Sequence, residues 1–443
     1  MQLPQTVQYC IHALEAAGFQ AYAVGGCVRD SLLGLTPADY DLCTNAKPEE
    51  ISRVFCAHQQ LHHGEKHGTV GIVLDEQVYE ITTFRTEGGY QDARHPDWVK
   101  FVPNVEEDLA RRDFTINAMA YHPKAGYIDP FGGQRDLENK ILRTVGDPAC
   151  RFREDALRIL RGARFSARFR LTPDPATKSA MEHLAPLMEH LARERVFEEL
   201  CKLLLSATAA DLATFAPLLT QVIPELTPSV GFLQHSPHHA YDVFTHTAHV
   251  VAAVPRELSL RWAALLHDIG KPAAFTLDKN GRGHFKGHAK VSGEMADAIL
   301  LRLKAPSALR QQVTELIHLH MTQLEPDKKL LRRQLGKLGQ EQLEQLLVLQ
   351  EADMGSKGTG KPVEMEQFVK IRAVLAQVLA EDACFSIKDL AVNGRDLQQL
   401  GIAPGPNMGK CLNWLLGQVQ DDILPNERQA LLGAVQELLE EKA

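Results

Sequence analysis

Apolar residues Val7, Cys10, Ile11 and Leu14 recur at helical spacing and stop before Gly18, after which Ala21 to Val24 reads as a short buried strand. Gly25-Gly26 breaks that strand, Val28 to Leu33 resumes a helical face, and Gly34 caps it before a second strand over Asp39 to Cys43. Pro48-Glu49-Glu50 opens a helix, with proline in the first turn and acids at the positive end of the dipole. Thr69 to Leu74 and Val78 to Phe84 are rich in β-branched residues and joined by Asp75-Glu76-Gln77, which predicts a hairpin. From Phe152 onward strand signals fade and amphipathic helical segments take over, such as 155–169 and 192–205. Pro217, Pro224 and Pro228 mark a break before a histidine-rich stretch, and Gly355 to Pro362 mark another. The pattern predicts an α+β multidomain chain, with a mixed β-sheet in a small head and helices afterwards.

Composition narrows this picture only a little. The 443 residues are 44% hydrophobic and 23% charged, enough for several cores and about two to four domains. No apolar run approaches the roughly 18 residues that would span a bilayer, and Met1 to Gln8 lacks the pattern of an export signal. The expectation is a cytoplasmic protein with no membrane partner. Its eight cysteines form no CxxC pair and no dense cluster, so reduced thiols are expected. A net charge of −8 gives no global signature of nucleic-acid binding, which would have to rest on local basic surface. No feature points to a protein partner.

Candidate chemistry begins with Asp39 and Asp41. Alternate residues of a strand share a face, so these two carboxylates would lie close together and call for a hard cation such as Mg2+, which needs one or two protein carboxylates alongside phosphate and water. Alone, a DxD is most often a surface strand or turn. Just upstream, however, Gly25-Gly26 between strand and helix would let a phosphate approach the backbone, and Arg29 adds a forked donor. Glu80 lies in a strand that would supply a third carboxylate beside the pair, or else is an ordinary exposed strand residue. Later come Arg111-Arg112-Asp113-Phe-Thr-Ile-Asn117 and Glu154-Asp155-Ala-Leu-Arg158-Ile-Leu-Arg161-Gly-Ala-Arg164. Asp155, Arg158 and Arg161 would share one helical face, which on its own also describes a salt-bridged exposed helix.

Together these blocks resemble, in order and spacing, those of the class II tRNA nucleotidyltransferases, the CCA-adding enzymes. The pattern GG-x-VRD, DxD, RRDFTINAM and EDxxRxxRxxRF is complete, and the combination is far more specific than any piece. The resemblance implies a polymerase-β-like nucleotidyltransferase head over 1–145, a helical neck over 146–215, a helical body over 216–375 and a tRNA-binding tail over 376–443. It implies that Asp39 and Asp41 hold magnesium with help from Glu80, that Gly26, Arg29 and Arg112 contact the nucleotide, and that Arg161 and Arg164 lie along the triphosphate. Asp155 and Arg158 would be a protein template choosing C or A, since an acid acceptor beside an arginine fork complements a base edge. Template-independent addition of CCA to tRNA from CTP and ATP, with release of pyrophosphate, is the implied activity.

Relatives with a similar head include poly(A) polymerases and enzymes adding only part of CCA. Gly88 to Phe101 resembles the flexible loop of the complete enzymes, and Leu390 to Lys410 resembles the family's tail, so full CCA addition is the preferred reading.

A second constellation lies in the body. His246, His267-Asp268, His288, His320 and Asp353 include an apolar helix ending in His-Asp before Gly270 and Pro272. Any one of these histidines, taken alone, is as readily a hydrogen-bonded core residue. As a set, His246, His267, Asp268 and Asp353 resemble the H…HD…D pattern of HD phosphohydrolases, with His288 and His320 matching the extra histidines of members that hold a second metal. That resemblance implies a divalent Ni, Co, Mn or Fe and hydrolysis of a phosphate ester, such as a 2′,3′-cyclic phosphate at a damaged tRNA end. A rival reading is an HD phosphohydrolase whose head only recruits RNA.

Overall fold

The computed structural model describes residues 1–62, 64–88, 98–359, 363–381 and 384–440. The expected loop after Gly88 falls largely in 89–97 and so lies outside the described residues. The chain parts into two compact units, Met1–Thr227 with Arg302–Lys304, and Pro228–Leu301 with Ala305–Ala443.

The first unit opens with α1 (Gln5–Ala16), β1 (Ala21–Val24), α2 (Gly26–Leu32), β2 (Asp41–Thr44) and α3 (Pro48–Val54). The strands β3 (Gln60–Leu61), β4 (Thr69–Leu74) and β5 (Gln77–Thr83) follow, then β6 (Arg85–Gly88) paired with β7 (Trp98–Phe101). After α4 (Val105–Ala110), β8 (Ala120–His122) and β9 (Gly126–Ile128) complete a seven-stranded mixed sheet in the order β3-β4-β5-β2-β1-β8-β9. The hairpin turn between β4 and β5 is tighter than expected, with Asp75 and Glu76 both at positive φ and Gln77 already in the strand.

Register decides where the chemistry sits. β1 runs antiparallel to β2 with Val24 opposite Asp41, so the Gly25-Gly26 turn and the start of β2 meet at one end of the sheet. β5 runs parallel to β2 with Ile81 opposite Leu42, which brings Glu80 level with Asp41. Asp39 lies outside the strand, contrary to expectation. β1 offers no ladder partner beyond Val24, because Gly25 turns away into α2, so β2 begins two residues later than its apolar pattern suggests. Beneath this edge Val24, Cys43, Phe84, Val105, Leu109 and Ala118 form a buried cluster.

The helical part of the first unit contains α5 (Gly133–Glu138), α6 (Pro148–Glu154), α7 (Leu157–Phe169), α8 (Pro175–Leu184), α9 (Arg193–Leu204), α10 (Ala209–Thr214) and α11 (Ala216–Val222). The expected helix over 155–169 begins two residues late, at Leu157, and leaves Asp155 outside it. Asp155 is extended, with φ −145° and ψ 104°, and its Oδ1 accepts the Leu157 N–H at 3.0 Å. A short aspartate side chain that satisfies a helix's free N–H groups favours a start over an interior position.

The second unit is helical: α12 (Val243–Ala253), α13 (Leu258–Leu266), α14 (His288–Arg302), α15 (Ser307–Leu319), α16 (Lys328–Leu338), α17 (Gln340–Gly355) and α18 (Val363–Ala380) precede α19 (Gly394–Gln399), α20 (Pro406–Gln420) and α21 (Arg428–Glu440). The last three pack on a cluster of their own that includes Leu390, Val392, Leu397, Leu415, Leu431 and Val435. No helix among the described residues is long and apolar enough to cross a membrane.

Candidate functional site

The first unit holds a cleft of about 520 Å³ lined by Gly25, Gly26, Asp39, Asp41 and Asn117 together with eight arginines, among them Arg29, Arg112, Arg158, Arg161 and Arg164. Asp155 lines it too, whereas Glu80 stands beside Asp41 on the sheet and outside this lining. Desolvation and the neighbouring Asp39 push Asp41 up to about 6, with Glu80 adding to the rise and Arg112 opposing it. A carboxyl group raised in this way by burial and neighbouring acids favours a cation beside it. The same lining holds a concentration of guanidinium groups suited to a polyphosphate.

The arginines are held by a buried scaffold. Gly25 has φ +76°, and a Cβ there would lie 2.8 Å from Arg112 Nη1, so only glycine allows this approach. Fully buried Asp108 receives Arg111 at 2.9 Å and Arg112 at 3.4 Å. Arg29 donates to Asp30 at 2.8 Å and to Asn117, and its guanidinium stacks 4.4 Å from the Phe169 ring centroid. Asp113 accepts from Asn117 at 3.0 Å and pairs with Arg161. Burial opposes the Asp113 charge, yet Arg161, Asn117 and Arg158 outweigh it and hold the carboxyl far below the usual range. Arg164 sits 4.3 Å from the Phe165 ring centroid, and burial pulls it down to about 10. Arg158 is tied to Glu154 and to the backbone carbonyls of Arg151 and Arg111.

Sequence reasoning left out of the site Asp113 and Asn117, whose motif was in view, and Arg195, which lines the cleft from α9. Nothing local marks Arg195; its spacing is that of any amphipathic helix.

The second unit gathers all six expected ligands. His246 on α12, His267 and Asp268 at the end of α13, and Asp353 on α17 form one group, and Asp268, His288 and His320 form another. Asp268 belongs to both. Its Oδ2 is 3.2 Å from His267 Nε2 and 3.5 Å from His246 Nε2, while its Oδ1 is 3.3 Å from His288 Nε2 and 3.9 Å from His320 Nε2. Asp353 Oδ1 closes the first group at 2.9 Å from His246 Nε2.

Each histidine is oriented the same way. Nδ1 of His246, His267, His288 and His320 faces a backbone carbonyl, of Ser356, Ala264, Phe285 and Ile317 respectively, at 2.6 to 3.3 Å. A carbonyl only accepts, so Nδ1 carries the proton and the Nε2 lone pair is left for the cluster, the arrangement of ligating histidines. Nε2 of His288 and His320 face each other at 3.2 Å. The buried His267 Nε2 makes no well-formed hydrogen bond within the protein, and Asp268 Oδ2 is ion-paired with Lys271 Nζ at 2.6 Å. Burial opposes a charge on His267, but Asp268 and Asp353 push it up to about 10. A carboxylate field of that strength favours a cation at the same point, and imidazole with carboxylate suits a divalent transition metal. The site opens into a cavity of about 670 Å³ whose lining adds the lysines Lys271 and Lys357 and the histidines His239 and His284, with burial and then Lys271 holding His239 down at about 3.

Residues 21–143 match the family described as the poly A polymerase head domain, 170–229 a probable RNA- and SrmB-binding site of polymerase A, and 285–435 a putative second domain of tRNA nucleotidyltransferases. The CCA-adding enzyme of Limosilactobacillus fermentum is 35% identical over 431 residues, covering 96% of this chain and 95% of that protein. That of Streptococcus sanguinis is 35% identical over 442 residues, covering 98% of each. Among solved structures, the Bacillus stearothermophilus CCA-adding enzyme in complex with CTP superposes with a TM-score of 0.73 at 28% identity, over 100% of this chain and 99% of that one. The Thermotoga maritima CCA-adding enzyme complexed with tRNA shares the fold, with a TM-score of 0.63 at 19% identity over 99% and 96% of the two chains.

Proposed function

The chain belongs to the family of CCA-adding enzymes, and from that membership we propose how its residues carry out the addition. The reaction is template-independent addition of CCA to the 3′ end of tRNA from CTP and ATP, with release of pyrophosphate. The tRNA 3′-oxygen attacks the α-phosphorus, the bond to the pyrophosphate oxygen breaks, and no covalent enzyme intermediate is needed.

In our reading Asp39 and Asp41 hold Mg2+, with Glu80 adding negative charge from the neighbouring strand. Magnesium held by these carboxylates would supply Lewis acidity for the transfer. Gly26 lets the triphosphate approach α2, Arg29 and Arg112 bind it, and Arg161 and Arg164 continue the row. Asp155 and Arg158 select the base. The observation carrying this reading is that Asp39 and Asp41 line the same cleft as eight arginines.

The test is tRNA ending before CCA, supplied with CTP, ATP or both. We expect CC, then A, then a stop, and no incorporation by Asp39→Ala, which still binds tRNA. Long A tails, or A added only to tRNA already ending in CC, would overturn it.

For the second unit we propose a pair of divalent cations, Ni, Co, Mn or Fe, bridged by Asp268. His246, His267 and Asp353 complete one position and His288 and His320 the other. Lys271 and Lys357 in the cavity suit a phosphate ester. We further propose a division of labour into head (1–145), neck (146–215), body (216–375) and tRNA-binding tail (376–443), the tail supported by its own apolar cluster. A cytoplasmic setting suits the eight free cysteines, six of them buried.

A further inference from the structure

We propose that Arg195 is a positioning residue for base selection, acting by fixing the carboxylate of Asp155. The inference rests on Asp155 reading the base.

Asp155 sits in the break between α6 and α7, where backbone geometry alone leaves its side chain free to turn. Two donors remove that freedom. Its Oδ1 takes the Leu157 N–H at 3.0 Å, and its Oδ2 takes Arg195 Nη2 at 2.8 Å. Each carboxylate oxygen accepts twice, so this anchoring still leaves lone pairs for a ligand. Arg195 reaches across from α9, forty positions along the chain. Its Nη1 is buried and makes no hydrogen bond within the protein, although the residue lines the cleft. An arginine that served only to join two helices would spend both ends on the chain. The guanidinium of Arg158, the other member of the reading pair, is tied to Glu154 and two carbonyls, and Arg158 meets Asp155 only through the backbone, its N–H donating to the Asp155 carbonyl at 3.0 Å.

The chemistry of the bases gives this contact its consequence. Cytosine and adenine present an exocyclic amino group, whereas uracil and guanine present a carbonyl oxygen at the corresponding edge. A carboxylate held in one orientation accepts from the amino group and repels the carbonyl. One that can swing away does neither well. Arg195 therefore sharpens the choice of C and A over U and G without meeting the reacting atoms.

The experiment compares wild type, Arg195→Gln and Asp155→Asn on tRNA ending before CCA, measuring kcat and KM for CTP and UTP. We expect Arg195→Gln to lower the CTP-to-UTP ratio of kcat/KM about tenfold, the factor one hydrogen bond of ordinary net strength carries, mainly through KM for CTP. Asp155→Asn should lower it at least as far. Should Arg195→Gln slow CTP and UTP equally, with the ratio kept, Arg195 is structural and the inference is wrong. A ratio unchanged in Asp155→Asn would remove the base-reading assignment itself. If the glutamine variant does not fold, Arg195→Lys, which keeps the charge and loses the planar fork, is judged by the same ratio.

Discussion

Asp113 receives both Nε and Nη2 of Arg161 on a single carboxylate oxygen, at 2.8 and 2.7 Å, and so couples the segment after α4 to the arginine row of α7. Its other oxygen accepts from Asn117 Nδ2 and from the Phe114 N–H. Asn117 in turn receives Arg29, which makes one chain of polar contacts from α2 to α7. The carboxyl is held far below its ordinary value, so its stabilising effect is complete above the unfolded-state value of about 3.9 and is lost as pH falls below it. Asp113→Asn should cost about 3 kcal/mol at neutral pH, as for a broken buried pair. The gap between the variant and wild type should close below about pH 4 in denaturant titrations. A gap that stays constant to pH 3 would contradict the assigned charge state.

Gly25 and Gly26 are adjacent yet have different reasons to be glycine. Gly25 has φ +76° and meets Arg112 Nη1, while a Cβ on Gly26 would find only Arg29 Nη2 at an ordinary 3.6 Å. Gly25→Ala should lose about 1–3 kcal/mol of stability from backbone strain and weaken CTP binding by displacing Arg112. Gly26→Ala should melt near wild type and raise KM for both nucleotides, because its effect falls on the approaching phosphate. Thermal melts beside nucleotide titrations separate the two.

Much of this was legible in the sequence where local pattern and chemistry coincide. The head's strands, the glycine turn and the spacing of the arginines follow from periodicity and motif. Asp155 did not, because the helical pattern starts at it and gives no sign that its side chain would cap the helix from outside rather than lie on its face. Asp39 missed its strand because strand ends are set by the partner, and β1 stops at Val24. Arg195 and Glu199 are one turn apart on α9 and look like any exposed charges until packing turns them toward α7. In the second unit the six ligands were readable, but the carbonyls that orient the histidines are backbone groups and leave no residue signature.

Glu199 offers a contrast with Arg195. It is 4% exposed and faces Arg164 Nε at 3.2 Å from the same side of α9. Glu199→Gln removes the charge that offsets the desolvation of Arg164, and should destabilise the fold by about 1–3 kcal/mol. If Arg164 serves the triphosphate, KM should rise for CTP, ATP and UTP alike, leaving the CTP-to-UTP ratio as in wild type. A changed ratio would mean that Arg164 also helps to read the base.

Asp268 makes the two halves of the histidine cluster interdependent, since one oxygen faces His246 and His267 and the other faces His288 and His320. Substitutions should therefore remove metal in steps rather than uniformly. With Mn or Co added and free metal removed, wild-type protein should retain two equivalents, His288→Ala one, and Asp268→Ala none. Hydrolysis of a phosphate ester should follow the same order, with His267→Ala inactive. CCA addition should persist in all three variants, because the cleft of Asp39 and Asp41 shares no residue with this cluster. Equal metal content in wild type and Asp268→Ala would reduce the histidines to a hydrogen-bonded core. Metal retained without phosphatase activity would instead leave a structural centre, with Lys271 and Lys357 lining a cavity that turns over no ester.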